Sequence, residues 1–148
     1  MPWMVVRAIL FACRRDSHYF YCKLKPEEEE RGVMIVSDEQ KVSAVAINNP
    51  EVRNVDMKML IGEKEGWADH VMRVFELGPD GHTPRHRHPW PHINYILEGA
   101  GILFMDGREH PVQSGGYAYV PAGVEHQFKN AGRSGFRFIC IVPKEGHK

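Results

Sequence analysis

The chain has 148 residues, of which 19 are basic and 19 acidic, so its formal net charge is zero. This length suits one domain with a substantial core. A balanced charge gives no indication of electrostatic binding to nucleic acid or to an anionic membrane surface, so we expect neither partner. The nine histidines are the one unusual feature of the composition.

The cysteines Cys13, Cys22 and Cys140 are odd in number and show no CxxC or finger-like spacing. This pattern indicates neither a disulfide framework nor a structural zinc site. A reducing, cytoplasmic location is the expectation that fits it best.

The first part of the chain differs from the rest. The apolar run 5–13 is too short to cross a bilayer and lacks a clear cleavage site, although a degenerate signal peptide is an alternative. Four glutamates at 27–30 lie just before Met34, and their purine-rich codons would resemble a ribosome-binding site. We therefore interpret residues 1–33 as an N-terminal extension that results from a start codon assigned too early. A genuine, disordered tail is the alternative.

From residue 34 onward the pattern is that of short β-strands, with no convincing 3.6-residue period. Strands are predicted at 42–47, 52–61, 70–77, 93–97, 102–105, 108–112, 117–120 and 136–142. Turns are predicted at 48–50, 78–81, 106–107 and 121–123, with the Asp-Gly pair at 106–107 closing a hairpin. The sequence thus predicts an all-β sandwich or barrel over residues 34–148.

The most informative segment is the histidine-rich run that contains His86, His88 and His92. Imidazole is the commonest protein metal ligand, and His86 and His88 would share one face of a strand, roughly 6–7 Å apart. The prolines at 89 and 91 predict a bend that carries His92 to the next strand while it still points inward. With His126, at the start of another strand, these residues predict a metal site. The alternative is a metal-free barrel with hydrogen-bonded histidines.

These positions resemble the two motifs of the cupin family. The first motif, HxH followed by Glu and Gly, is matched by His86, His88, His92 and Gly99, with His92 where Glu is usual. The second motif, G-x5-P-x-G-x2-H-x3-N, is matched by Gly115, Pro121, Gly123, His126 and Asn130. The likeness covers about residues 55–146 and extends to small single-domain cupins that bind manganese through four histidines. It implies a double-stranded β-helix, the cupin jelly-roll barrel.

The resemblance also implies one divalent ion per chain, with manganese as the expected metal. On ligand preference alone, imidazoles suit Fe, Ni, Cu or Zn at least as well. Four neutral histidines leave the ion more positive than three histidines and a glutamate, which strengthens it as a Lewis acid and opposes its oxidation. A six-coordinate ion would keep two positions for water, substrate or O2, as in catalytic sites.

Strand parity predicts which side chains line the pocket beside this site. Phe128, Phe138 and Cys140 are expected to face inward, with Phe75, Ile96 and Tyr119 as further candidates. Trp90 either stacks over the pocket mouth or caps the core, and His82 is expected to be a bystander. Such a lining would admit a small, largely apolar or aromatic ligand.

We therefore expect a metal-dependent enzyme acting on a small molecule, with dioxygenase-like oxidation as the first expectation and Lewis-acid isomerisation or hydration as the second. The rival is a non-catalytic module that binds a metabolite or the metal. A homodimer is expected, in which strands before residue 62 pair with the neighbouring barrel and cover its sheet edge.

Overall fold

The computed structural model describes residues 14–16, 19–21 and 35–147. The chain divides into two compact units, Met1–Gly32 and Val33–Lys148. In the first unit, β1 (Arg14–Asp16) pairs antiparallel with β2 (Tyr19–Tyr21). The predictions made for the rest of residues 1–33, including the start codon and the two cysteines there, lie outside the described residues.

The second unit is an antiparallel β-barrel, which confirms the predicted jelly-roll fold. Within residues 35–147 nine strands form one continuous sheet. They are β3 (Val45–Ala46), β4 (Arg53–Ile61), β5 (His70–His82), β6 (His92–Glu98), β7 (Ala100–Met105), β8 (Arg108–Gln113), β9 (Tyr117–Val120), β10 (His126–Asn130) and β11 (Phe136–Pro143). Short 3-10 helices lie at Glu39–Lys41, Glu63–Glu65 and Lys144–Gly146. No helix in the described ranges is long and apolar enough to cross a membrane.

The strand order is β8-β7-β10-β5-β11-β6-β9, with β4 added to β5 and β3 to β4. The predicted Asp-Gly hairpin is present, since β7 and β8 pair from Met105 and Arg108 outward. β8 is an edge strand, and its exposed charges and Pro111 suit an edge because proline cannot donate to a further strand. β6 and β11 lie in the middle of the sheet and present alternate side chains to the barrel interior.

The core follows from that alternation. Every second residue of β11 is buried, as the two-residue period of a strand requires. Phe136, Phe138 and Phe128 pack against one another with ring centroids 4.3–6.4 Å apart. Burial of each such ring contributes about 1.5–3 kcal/mol, so these rings stabilise the barrel directly behind the histidine cluster.

β5 is longer than predicted, and the prediction of a turn at 78–81 was wrong. The strand continues to His82, through Asp80 with its positive φ of 56°. Asn130 supports this irregular stretch, because its Nδ2 lies 2.9 Å from the carbonyl oxygen of Leu77. Glycine and proline therefore bend the strand here without reversing it. The bend lets β5 pair with β11 along its first part and with β10 at its end.

The strands before residue 62 pair within their own chain. β4 pairs with β5 from Arg53 to Ile61, and β3 pairs with β4. Within one chain they extend the sheet beyond β5. Pairing of these strands with the neighbouring barrel of a homodimer stays a prediction.

Candidate metal centre

The four predicted histidines come together at one end of the barrel. His126 begins β10 and His92 begins β6. The prediction that His86 and His88 lie on one strand was wrong, because neither belongs to a regular strand. His86 forms an isolated antiparallel bridge with His126, and the chain around His88 is irregular because prolines follow it.

Three of the four imidazoles converge closely. The ligand atoms of His86, His88 and His126 all lie within 4.8 Å of one another, so these three could hold a metal ion. His92 packs beside them, with its ring centroid 4.4 Å from that of His88 and 4.8 Å from that of His126. It stands 6.5 Å from the ring of His86 and is set back from the group of three.

Backbone carbonyls fix the orientation of two rings. His86 Nδ1 donates to the carbonyl oxygen of Pro84 and His126 Nδ1 to that of Val124, each at 2.9 Å. A carbonyl only accepts, so the proton of each neutral ring is on Nδ1 and the Nε2 lone pair is free for an ion. His92 Nδ1 lies 3.8 Å from Cys140 Sγ.

Unpartnered nitrogens show that the residues fit a divalent ion. Among the described residues, His126 Nε2 and both ring nitrogens of His88 are buried without a hydrogen-bond partner. Buried polar groups without partners are costly, and such groups often mark an ion or water site. No carboxylate belongs to the convergent group. Any ion held there would therefore be bound by neutral nitrogen donors.

The electrostatics favour the neutral form of His88, His92 and His126. Burial, with smaller contributions from neighbouring histidines and Arg73, lowers the pKa of His92 to about 2. Burial lowers the pKa of His126 to about 4, although its bond to the Val124 carbonyl opposes the shift. Burial also lowers the pKa of His88. The lone pairs are consequently available for metal binding at neutral pH.

The cluster lines a cavity of about 360 Å³. All four histidines border it, together with the aromatic and thiol side chains predicted from parity: Phe75, Phe128, Phe138, Cys140 and Trp90. Trp90 stacks on His88, with centroids 4.7 Å apart and rings 7° from parallel, so it belongs to the site and does not merely cap the core. The cavity places an apolar wall directly beside the imidazoles.

The prediction for Tyr119 was wrong. Its side chain is 59% exposed, because it pairs with Ile93 on the outer face of the barrel while the next residue, Val120, is buried. Ile96 is buried in the core and does not border the cavity. His82 also lies outside the cavity lining, as expected of a bystander.

Nine residues that line this cavity were not predicted from the sequence: Ile47, Asn49, Val52, Val55, Arg73, Thr83, Pro84, Glu145 and Gly146. Arg73 is only 7% exposed, although arginine is usually found at the surface. Its place in β5, two residues from the parity-predicted Phe75, was the available signal. The turn at Glu145 and Gly146 lies within the predicted likeness to cupins, but only the fold shows that it reaches the cavity.

Comparison with known proteins agrees with this architecture. Residues 73–142 match the family model described as a cupin domain. The structure of the polyketide cyclase RemF from Streptomyces resistomycificus superposes with a TM-score of 0.71 at 30% identity, over 75% of this chain and 80% of that one. The chain belongs to the cupin superfamily.

Two enzymes are similar in sequence to this cupin. Dimethylsulfoniopropionate lyase DddW from Ruegeria pomeroyi is 33% identical over 68% of this chain and 66% of its own length. A 1-methylthio-D-xylulose 5-phosphate methylsulfurylase from Rhodospirillum rubrum is 31% identical over 52% of this chain and 49% of its own. The chain thus matches about two thirds of the first relative and half of the second.

Proposed function

We propose that this cupin is a metal-dependent enzyme that acts on a small organic molecule. The observation that carries the proposal is the convergence of His86, His88 and His126, with unpartnered nitrogens on His88 and His126, on the wall of a cavity of about 360 Å³. Catalytic metal sites keep open positions that face a substrate space, whereas structural sites are closed. In this proposal His86, His88, His92 and His126 hold one divalent ion per chain.

The donor set favours redox-neutral chemistry. A bound divalent ion would polarise a substrate oxygen and lower the pKa of a bound water. Four neutral donors leave its full charge uncompensated, which strengthens the Lewis acid and disfavours a higher oxidation state. Isomerisation, hydration or elimination is therefore the reaction class that this site supports best. The lyase and the cyclase among the similar proteins are in keeping with it.

Dioxygenase-like oxidation is the second candidate. The observation that favours it is the aromatic wall formed by Phe75, Phe128 and Phe138, which suits an apolar substrate and admits O2. The identity of the bound metal would distinguish these two candidate reactions only in part. Manganese is the metal that the resemblance to four-histidine cupins favours, while iron, nickel, copper and zinc also suit imidazole donors.

Metal analysis combined with turnover assays tests the proposal. Protein reconstituted separately with Mn(II), Fe(II) and Zn(II) is analysed for bound metal and incubated with a panel of small organic substrates, with and without O2. We expect one ion per chain, and turnover that does not require O2. His126→Ala should lose both, while His110→Ala, which removes an exposed histidine of β8, should keep both.

Two outcomes would redirect the proposal. Turnover that stops under anaerobic conditions would identify the oxidative candidate. Persistent absence of turnover in metal-replete protein, together with tight ligand binding, would show a non-catalytic binding module.

A further inference from the structure

Arg73 is a buried cation without an acidic partner in the described part of the chain. The side chain is only 7% exposed, yet the ion pairs among the described residues do not include it. Neither of its two hydrogen-bond acceptors is a carboxylate: they are the carbonyl oxygen of Gly146, 3.0 Å from Nη1, and Cys140 Sγ, 3.4 Å from Nη2.

Part of this guanidinium has no partner. A guanidinium has five N–H donors, and the hydrogen bonds to Gly146 and Cys140 account for two of them. Nε is buried and has no hydrogen-bond partner among the described residues. A buried charge is expensive unless it is paired, so the missing acceptor is a feature that a ligand would supply.

The arginine that carries this donor borders the same cavity as the histidines. Arg73 and Trp90 both line it, and the Nε1–H of Trp90 is likewise buried without a partner. The four imidazoles in this wall are acceptors for an ion and contribute no negative charge. Glu145 is the one carboxylate among the lining residues, and it is exposed and makes no ion pair with Arg73. The cavity wall therefore holds a buried cation and two unpartnered donors, while the single carboxylate beside them is exposed and unpaired with that cation.

We propose that the cavity binds a small organic carboxylate, with Arg73 as the group that recognises the anion and Trp90 Nε1 as a second donor. The planar guanidinium matches a carboxylate, and two partnerless donors suit a monoanion better than a phosphate dianion with its three oxygens. The apolar body of the ligand packs against Phe75, Phe128 and Phe138. This inference rests on the proposed function only in naming the substrate class for that site.

Paired ligands of one shape test the proposal. Benzoate and benzamide differ in charge but hardly in size, so their affinities for the zinc-loaded and the metal-free protein are compared by calorimetry. We expect benzoate to bind at least about tenfold more tightly in both forms, because a hydrogen bond to a charged group contributes more than one to a neutral group. The indole N–H resonance of Trp90, assigned with Trp90→Phe, should shift with benzoate more than with benzamide.

Variants locate the source of the discrimination. Arg73→Gln should bind both compounds equally, Arg73→Lys should retain part of the preference, and Arg108→Gln, which removes an exposed cation of β8, should behave as wild type. Thermal unfolding verifies that each variant is folded. Should Arg73→Gln not fold, the wild-type ligand pair and the Trp90 resonance still decide the question.

Several results would overturn the inference. Equal binding of the two ligands by the wild-type protein would do so, as would a preference that Arg73→Gln retains. Tighter binding of phenyl phosphate than of benzoate would exclude the carboxylate assignment. A preference seen only in the zinc form and unaffected by Arg73→Gln would place the anion on the metal and leave the proposed function intact. A protein that takes up no metal but still discriminates through Arg73 would retain this inference and lose the proposed function.

Discussion

His86 and His126 are joined by a reciprocal pair of backbone hydrogen bonds. The amide of His86 donates to the carbonyl oxygen of His126 at 3.1 Å, and the amide of His126 donates back at 2.9 Å. Their ring centroids are 4.6 Å apart on the same side of this bridge. Two segments distant in sequence are thereby locked in register, and their imidazoles are held together before any ion binds. This arrangement is preorganised in the sense that metal sites require.

The set-back position of His92 gives a graded prediction for metal binding. His86, His88 and His126 converge within 4.8 Å, so alanine at any of them should abolish stoichiometric binding of Zn(II). His92→Ala should weaken binding by at least about tenfold and still leave a measurable site, because His92 is the ligand that is set back from the other three. Competition titration with a chelator measures this series. Equal loss at all four positions would contradict this graded order.

The metal-free protein should lose stability as the pH falls below about 6.5. His92 and His126 have folded-state pKa values lowered to about 2 and about 4, so the unfolded chain takes up their protons first. Each histidine should then lower the free energy of unfolding by roughly 1.4 kcal/mol for every unit of pH below 6.5. The loss due to His126 should stop near pH 4, and the loss due to His92 should continue to lower pH. Urea unfolding between pH 7 and pH 4 measures the slope. A double variant, His92→Gln with His126→Gln, should show a flatter profile.

The parallel stack of Trp90 on His88 should report metal binding optically. A paramagnetic ion such as Cu(II) near the cluster should quench the fluorescence of Trp90, and Trp90→Phe should remove most of this quenching. Trp67→Phe is a matched control, because Trp67 stacks on His70, with centroids 5.3 Å apart, and neither residue borders the cavity. Quenching lost in Trp67→Phe and retained in Trp90→Phe would contradict the location of the site.

The motif glycines Gly99 and Gly115 should differ in their tolerance of alanine. Both have positive φ, 78° and 84°, so each substitution carries backbone strain of about 1–2 kcal/mol. A Cβ at Gly115 meets nothing within 4 Å, whereas one at Gly99 would overlap the carbonyl oxygen of Gly135 and approach Phe136 Cα at 3.1 Å. Gly99→Ala should therefore lower the free energy of unfolding by about 2–5 kcal/mol, clearly more than Gly115→Ala. Chemical denaturation compares the two.

The local sequence pattern was sufficient for much of this architecture. Alternation predicted β11 and the inward direction of Phe138 and Cys140, and the Asp-Gly pair predicted the β7–β8 hairpin. The same reasoning failed at 78–81, because glycine and proline can either reverse a strand in a turn or bend it without ending it. Glycine and proline at 78–81 bend β5 because Asn130, distant in sequence, satisfies the carbonyl oxygens there.

The parts of the site that the sequence did not reveal depend on tertiary packing. Tyr119 was predicted to point inward, but its neighbour Val120 does so instead. Its strand has only four residues, which is too short an alternation to determine which side chains point inward. Arg73 looks like an ordinary exposed arginine of a strand until Gly146 and Cys140 are placed around it. No local pattern encodes that a cation is buried without an acidic partner.

The hydrogen bond from Arg73 to the Gly146 carbonyl ties the last turn of the chain to the cavity wall, and His147 next to it is exposed. A polyhistidine affinity tag fused after residue 148 would deliver additional imidazoles to the rim of a histidine-lined cavity. Protein purified in that form would carry its own competing chelator. A tag at the opposite terminus, removed by protease before assay, is the preparation in which metal stoichiometry reports the cluster alone.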